Sequence, residues 1–137
     1  MYLENKKNPP GRQFSDEIEG DENTILIRRT MRSGQKFYYD GNVVVLGDVN
    51  PGAEVVATGN VIVMGQMRGV VHAGADGDES AMVMAFRLLP TQLRIANHIT
   101  RPPDDEVHSS TRPEIARIKN GVVTIESYHT GAERVFR

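Results

Sequence analysis

The middle of the chain repeats with a period of six residues nested within a period of eighteen. Shifting residues 41–47 by 18 positions places GNVVVLG onto GNVIVMG at residues 59–65. One column of the six-residue repeat is apolar at every step: Phe37, Val43, Val49, Val55, Val61, Met67 and Ala73. The column one residue earlier is polar at every step: Lys36, Asn42, Asp48, Glu54, Asn60, Gln66 and His72. Self-similarity at a short fixed period is typical of a repeat architecture, so we expect a solenoid.

The period also predicts the secondary structure of each repeat. The column two residues after the apolar one is mostly small or apolar, so residues i and i+2 point the same way, as in a β-strand. The chain has 15 Val and 9 Ile against 6 Leu, which favours strands over helices. Three short strands per 18 residues predict an all-β fold, a triangular parallel β-helix of about three coils. Glycines are expected at its corners, such as Gly41, Gly47, Gly59 and Gly65.

A break and a hairpin follow the repeat. The register is lost at residues 75–80, which we predict to be a surface loop, and strand character resumes at 81–86 and 93–96. Further on, apolar residues flank Asn120-Gly121, a dipeptide suited to the two positive φ angles of a type I′ turn. We therefore predict a C-terminal β-hairpin.

Polar segments set the expected domain bounds. Residues 1–24 hold six acidic and three basic side chains and the Pro9-Pro10-Gly11 break, so we expect a flexible linker or an expression remnant. The β-helix domain is expected to span residues 25–128, and residues 129–137 form a tail.

Composition and motifs exclude several function classes. Sixteen basic and 18 acidic side chains leave no charge bias toward nucleic acid. Zero cysteines and four scattered histidines, without an H-E-x-x-H pair, give no metal site and no thiol nucleophile. The chain also lacks G-x-S-x-G and G-x-x-x-x-G-K-[ST] motifs, so we expect no catalytic residues, no enzyme activity and no cofactor. The longest apolar run is residues 81–86, far too short for a membrane span, which predicts a cytoplasmic protein.

A set of motifs carries a family resemblance. In sequence order they are Arg32-Ser33-Gly34-Gln35, Gly47-Asp48-Val49-Asn50-Pro51-Gly52-Ala53-Glu54, Gly59-Asn60, Gly65, Arg68-Gly69 and Ala73-Gly74-Ala75. In order and spacing they resemble the C-terminal domain of MinC, the bacterial septum site-determining protein, over about residues 25 to 128. The resemblance implies a right-handed β-helix that forms a homodimer and is recruited by MinD-ATP to the inner face of the cell membrane. There it would help to inhibit FtsZ assembly, so that septa do not form at wrong sites.

The resemblance also assigns site residues. It gives the MinD contact to Arg32, Ser33, Gly34 and Gln35, and it places Glu54 and Arg68 on a surface where MinD or the FtsZ tail could dock. The residue chemistry agrees, because arginine offers a planar fork of donors for a carboxylate and glycine permits close backbone approach. MinC proteins carry a separate N-terminal domain that blocks FtsZ assembly. Only an acidic stretch precedes the repeat here, so we expect either a piece cut from a longer protein or a family member reduced to its docking half.

Two other interpretations stay open at this point. One is a hexapeptide-repeat acyltransferase, usually trimeric, with His72 as general base in a subunit cleft. The other is a structural β-solenoid that polymerises through its open ends. In the MinC interpretation, outward apolar residues such as Ile62, Met64 and Met84 are expected to form the dimer interface.

Overall fold

The computed structural model describes residues 2–3, 18–20, 23–100 and 112–128, and every regular element in these ranges is a β-strand. The strands are β1 (Tyr2–Leu3), β2 (Ile18–Gly20), β3 (Thr24–Ile27), β4 (Lys36–Tyr39), β5 (Asn42–Val45), β6 (Glu54–Ala57), β7 (Val61–Met67), β8 (Val70–Ala73), β9 (Val83–Leu88), β10 (Gln92–Ile95), β11 (His98–Thr100), β12 (Glu114–Lys119) and β13 (Val122–Ser127). The all-β prediction is confirmed.

The strands wind into a β-helix with three sides. The first sheet has the order β1-β4-β6-β8-β10-β11, and the second has the order β13-β12-β9-β7-β5-β3-β2. The third side is held by isolated parallel bridges that join Met31 to Val49 and Val49 to Met67. Each coil supplies one strand to each sheet, and neighbouring coils pair in parallel, as the hexad pattern predicted.

The helix has four coils, not the three expected from the sequence. Their second-sheet strands are β3, β5, β7 and β9, with Cα partners Ile25 and Val43, Val43 and Val61, and Val61 and Val83. The first two steps are 18 residues, whereas the third is 22. Four is a net difference, because Val55 pairs with Val71, 16 residues on, so the stretch before β8 is two residues shorter than in the preceding coil and the stretch with the predicted surface loop is six residues longer. These length changes shift the repeat out of phase, which is why the fourth coil does not show in the 18-residue comparison.

The apolar column forms the core. All seven of its members, from Phe37 to Ala73, are at most 1% exposed. The last step of the column is nevertheless wrong in register, because Val55 pairs with Val71 and not with Ala73, and His72 pairs with Val56. The column two residues later is buried on the two sheets, for example at Val45 and Val63, but Pro51 is exposed. The third side explains this difference, because there the chain turns away directly after the single bridging residue Val49.

The polar column does more than face water. The Asn42 Oδ1 atom accepts hydrogen bonds from Asn60 N (2.8 Å) and Asn60 Nδ2 (3.1 Å), and Asn60 Oδ1 accepts one from Met82 N (2.9 Å). Asp48 Oδ1 likewise accepts from Gln66 N (2.8 Å). These side chains bind backbone donors of the next coil at the corners, where the sheet ladder is interrupted. The polar column therefore stabilises the stacking as well as the surface.

Three of the four sheet ends carry antiparallel strands that do not continue the repeat, whereas β1 at the fourth end pairs in parallel with β4. Strand β2 pairs antiparallel with β3, β11 with β10, and β12 with β9. The hairpin β12–β13 is confirmed, and its turn residues Asn120 (φ 53°) and Gly121 (φ 78°) both have the positive φ of a type I′ turn. Buried Glu114 ties the hairpin to the last coil, since its Oε1 accepts a hydrogen bond from Leu88 N at 3.0 Å. Antiparallel terminal strands disfavour in-register stacking of further copies.

The expected domain bounds stay a prediction. Strands β1 and β2 lie within the segment 1–24 for which we expected a linker, and they extend the two sheets next to β4 and β3. The expected tail at 129–137 lies outside the described residues.

The core assignment predicts a large contrast between adjacent positions. We expect Val61→Asp to prevent folding, because an unpaired buried carboxylate costs several kcal/mol against a total stability of about 5–15 kcal/mol. Asn60→Asp should cost only about 1 kcal/mol, because it loses the bond donated to Asn42 and keeps the acceptor for Met82 N. Thermal melts followed by circular dichroism compare the two. A Val61→Asp chain that melts no earlier than Asn60→Asp would contradict the assignment.

Candidate partner-binding surfaces

The segment 32–35 forms a tight turn between the third side and the first sheet. Gln35 N donates to Arg32 O (3.0 Å), and Gly34 in the third position has φ 88°. This is the pattern of a type II turn, which requires positive φ at its third residue and therefore favours glycine there. The Gln35 side chain closes the turn as well, since its Oε1 accepts a hydrogen bond from Arg32 N at 2.7 Å.

A second turn of the same kind lies directly next to the first, one coil further on. Ala53 N donates to Asn50 O (3.0 Å), Pro51 occupies the second position, and Gly52 in the third position has φ 89°. Two backbone hydrogen bonds join the turns, from Gly34 N to Gly52 O and from Glu54 N to Gln35 O, both 2.9 Å. The stacked turns make a rigid corner of the β-helix.

The first turn presents its polar groups to solvent. Arg32, Ser33 and Gly34 are exposed, and Gln35 is half-buried. Within the described residues the Arg32 guanidinium forms no ion pair. Because the side-chain oxygen of Gln35 accepts the hydrogen bond from Arg32 N, the side-chain NH₂ group is the part of this amide that can donate to a partner.

Glu54 and Arg68 extend the same corner along the helix axis. Asn50 N donates to Met31 O and Arg68 N donates to Val49 O, so Arg32, Asn50 and Arg68 follow successive bridging residues in one column. Arg68 is exposed, and it too lacks an ion pair among the described residues. Residues 32–35, 50–54 and 68–69 are called the docking corner below.

The docking corner holds two exposed arginines, Arg32 and Arg68, that form no ion pair among the described residues. Strands stack at about 4.8 Å, so the backbones of Arg32 and Arg68 lie roughly 10 Å apart, two coils along the axis. Glu54 Oε1 lies 3.7 Å from Lys36 Nζ, and an exposed pair of this kind contributes little stability. A partner with carboxylates can therefore pair with either arginine without breaking an internal salt bridge.

The outer surface of the second sheet forms a different surface, which is apolar. Its side chains fall into two columns that follow the strand register. The half-buried column consists of Leu26, Val44, Ile62 and Met84. The exposed column consists of Leu46, Met64 and Phe86. The exposed fractions of Leu46, Met64 and Phe86 are 42%, 45% and 49%. We call these seven residues the apolar face. Large contiguous apolar patches of this kind mark interaction sites in water-exposed proteins.

His72 on the first sheet lies in a structural environment. Its Nε2 is 3.0 Å from Ala96 O, a carbonyl that can only accept, so Nε2 donates. Burial lowers the pKa of His72 and the charge of Arg94 lowers it further, while the bond to Ala96 and the charge of Glu54 oppose the shift. The hydrogen bond to Ala96 accounts for this histidine without a catalytic role.

The described residues show neither a metal-binding cluster nor a spanning helix. No group of three or more His, Asp or Glu side chains in these ranges could hold a metal ion. In the same part of the chain, no helix is long and apolar enough to cross a membrane.

The structure brings together all six predicted site residues and adds others. Arg32, Ser33, Gly34, Gln35, Glu54 and Arg68 lie on consecutive coils at one corner. The prediction of outward Ile62, Met64 and Met84 is consistent with the apolar face, but it missed Leu46 and Phe86. Comparing positions 18 residues apart would have found Leu46 beside Met64. Phe86 comes after the net four-residue insertion, so no fixed period reveals it.

Comparisons with known proteins agree with the fold. The family model described as septum formation inhibitor MinC, C-terminal domain, matches residues 25–128. A probable septum site-determining protein MinC of Heliobacterium modesticaldum is 68% identical over 114 residues, which cover 83% of this chain and 39% of that protein. Another from a Sulfurihydrogenibium species is 57% identical over 104 residues, or 74% of this chain and 52% of that protein.

A solved structure shares the fold. A chain of the MinC:MinD cell division protein complex of Aquifex aeolicus superposes with a TM-score of 0.72 at 36% identity. The match covers 82% of this chain and 92% of that chain. This chain spans about half or less of the length of the two curated relatives described above.

The environment of His72 predicts a pH dependence of stability. Its folded-state pKa lies below the ordinary value of about 6.5. The stability that neutral His72 contributes to the fold is therefore fully present above pH about 6.5, and it is lost as the pH falls through the lower, folded-state pKa. We expect the melting temperature to fall less in His72→Gln than in the wild type between about pH 7.5 and about pH 5.5.

Histidine side chains can also be titrated one by one by NMR. His98→Gln is the matched control, because His98 contacts exposed Glu79 at 3.3 Å instead of a buried carbonyl. A His72 ring that titrates at or above the ordinary histidine value would contradict the expected direction.

Proposed function

Because this chain belongs to the family of the septum formation inhibitor MinC, C-terminal domain, we propose that it is a non-enzymatic, dimeric adaptor that binds MinD. MinD in its ATP-bound state would recruit it to the inner face of the cell membrane. There it would help to inhibit FtsZ assembly and so keep septa from forming at wrong sites. The observation that carries the proposal is the turn 32–35, which the next coil holds through backbone hydrogen bonds and which begins with an exposed arginine whose guanidinium forms no ion pair among the described residues.

Three features of the docking corner support MinD binding there. The relative of known structure is part of a MinC:MinD complex, and it has the same fold over most of its chain. The corner offers donors in fixed positions: the Arg32 guanidinium, the Ser33 hydroxyl and the Gln35 amide. A surface held by backbone hydrogen bonds loses little conformational entropy on binding, which favours affinity.

Glu54 and Arg68 are proposed as secondary contacts. They flank the turn 32–35 on the next two coils, so a partner that covers this turn and extends along the axis would meet both. Arg68 would pair with a carboxylate of MinD or of the FtsZ tail. Glu54 would accept a donor, in exchange for its weak pair with Lys36.

The apolar face is proposed as the homodimer interface. A two-fold interface uses the same patch on both subunits, and the two columns of the apolar face lie side by side on paired strands of one sheet. The docking corner lies where the first sheet meets the third side, so a dimer through the second sheet leaves it open on both subunits. Two docking corners in one particle would strengthen attachment to membrane-bound MinD by avidity.

The MinD contact is tested by charge removal at Arg32. Losing a charge-assisted hydrogen bond within an interface costs on the order of 2–5 kcal/mol, or roughly 30-fold to several-thousand-fold in affinity. We expect Arg32→Ala to remain folded and dimeric but to sediment poorly with liposomes that carry MinD and ATP.

The matched control is Arg117→Ala, which removes another exposed arginine from the hairpin. Undiminished sedimentation of a folded Arg32→Ala chain would move the MinD site away from this turn. No sedimentation of the wild type with MinD and ATP would contradict the adaptor function itself.

The dimer interface is tested by placing a charge on the apolar face. We expect Met64→Lys to yield a folded monomer near 15.2 kDa at micromolar concentration, because each two-fold contact would bury the new charge twice. The matched control is Ile99→Lys on the first sheet, where a side chain of similar exposure (48%) should tolerate the charge without loss of the dimer.

Analytical ultracentrifugation distinguishes the assemblies. A wild type that sediments only as a monomer would contradict the dimer, and a trimer would instead favour the acyltransferase interpretation.

A further inference from the structure

We propose that Ile18, in strand β2, is a positioning residue for the MinD contact, because it caps the coil that carries the turn 32–35. This inference rests on the proposed role of residues 32–35 in MinD binding. It adds that MinD binding depends on a strand outside residues 25–128, the span that the family model matches. Strand β2 then belongs to the functional unit, although its sequence led us to expect a linker.

The turn 32–35 lies in the first coil, which comprises β3, the bridging residue Met31 and β4. The second coil holds it on one side, since Met31 N donates to Asp48 O at 2.8 Å and Gly34 N donates to Gly52 O at 2.9 Å. On the other side, the described residues contain no further coil, only the short strands β1 and β2. Each repeat of a solenoid is stabilised by its neighbours, so a terminal coil depends on a cap.

The inward side chains of the first coil are nevertheless as deeply buried as those of the inner coils. Ile25, Ile27 and Met31 are 0% exposed, and Phe37 is 1% exposed. At an open end of a β-helix, one side of these large apolar groups would face water. Their burial therefore requires apolar groups on the side that faces away from the second coil.

Ile18 supplies such a group. Strand β2 runs antiparallel to β3, with Ile18 opposite Ile27 and Gly20 opposite Ile25. Residues directly opposite each other in paired strands share a face of the sheet, so Ile18 points inward like Ile27. Ile18 is 7% exposed and belongs to the same hydrophobic core cluster. Because Gly20 has no side chain, Ile18 is the residue through which β2 extends the core.

Loss of the Ile18 side chain would reach the docking turn through β3. The Ile27 carbonyl accepts a hydrogen bond from Leu46 N at 2.7 Å, and the chain arrives at Arg32 five residues later. Local opening of a terminal element costs less free energy than global unfolding, so a weakened cap frees β3 and the following turn first. MinD would bind only chains whose first coil is closed, and its apparent affinity falls in proportion to that fraction.

The chain offers a matched control at the other end of the β-helix. Ile118 lies in β12, and its half-buried side chain packs against the same core cluster. Strand β12 borders β9 of the fourth coil, whereas β2 borders β3 of the first. Ile118→Ala therefore removes the same atoms as Ile18→Ala, but from the cap that does not adjoin the docking turn.

The first experiment compares Ile18→Ala, Ile118→Ala and Arg32→Ala in the full chain. Liposomes with MinD and ATP report binding, and thermal melts report folding. We expect Ile18→Ala to weaken binding at least about tenfold, while Ile118→Ala binds within about twofold of the wild type although its melting temperature also falls.

Three outcomes would overturn this inference. A folded Ile18→Ala chain that binds like the wild type, while Arg32→Ala does not bind, overturns the positioning role alone. Equal loss of binding in Ile18→Ala and Ile118→Ala shows general destabilisation and overturns it as well. Full binding by all three variants overturns the docking site together with it.

Hydrogen exchange tests the cap without MinD. In Ile18→Ala we expect exchange to accelerate more at the Met31 and Gly34 amides, which bind the second coil, than at Leu89 N and Thr91 N, which donate to Met67 O and Gly69 O further along the helix. Ile18→Val, which removes a single methyl group, should show the same order if Ile18→Ala does not fold. Uniform acceleration, or none at Met31 and Gly34, overturns the inference whatever the result with MinD.

Discussion

The in-register stacking of coils is the constraint on which the rest of this structure depends. Backbone hydrogen bonds join equivalent residues of neighbouring coils, for example Val43 with Val61 on the second sheet and Phe37 with Val55 on the first. Side chains on the two sheets therefore lie above and below those of the residues that they pair with in the neighbouring coils. A narrow core follows, filled by β-branched and small residues, because each position must pack against its own counterpart.

The same stacking explains the polar groups at the corners. Where the chain turns, the sheet ladder stops and backbone donors need other acceptors. Asn42, Asp48 and Asn60 supply side-chain oxygens for the coil that follows. At the remaining corner, two backbone hydrogen bonds hold the turns at residues 32–35 and 50–53 in a fixed relation to each other. The proposed recognition at the docking corner would therefore depend on two coils rather than on one loop.

Stacking also separates the outer surfaces by chemistry. An outward position repeats as a column, so a side of the prism becomes apolar or polar as a whole. The second sheet carries the apolar face, and the corner between the third side and the first sheet carries free arginines. At three of the four sheet ends, antiparallel strands interrupt the repeat, which disfavours continued polymerisation of copies there. The molecule is thus suited to lateral contacts, with its two candidate surfaces on different sides.

Much of the fold could be predicted from the amino-acid order, because a short period leaves few ways to bury its apolar positions. The seven-residue apolar column, the strand alternation and the type I′ hairpin at Asn120-Gly121 follow from local rules. The residues proposed to dock a partner, Arg32, Ser33, Gly34 and Gln35, could be named from a family motif without knowledge of what holds them. Only the tertiary structure decided the number of coils, since the insertion before Val83 displaces the repeat while the hydrogen-bond register tolerates a longer loop. It alone placed Gly52 under Ser33 and Phe86 beside Met64, because contacts between coils depend on which residues stack in space, and sequence spacing does not determine that once a loop changes length.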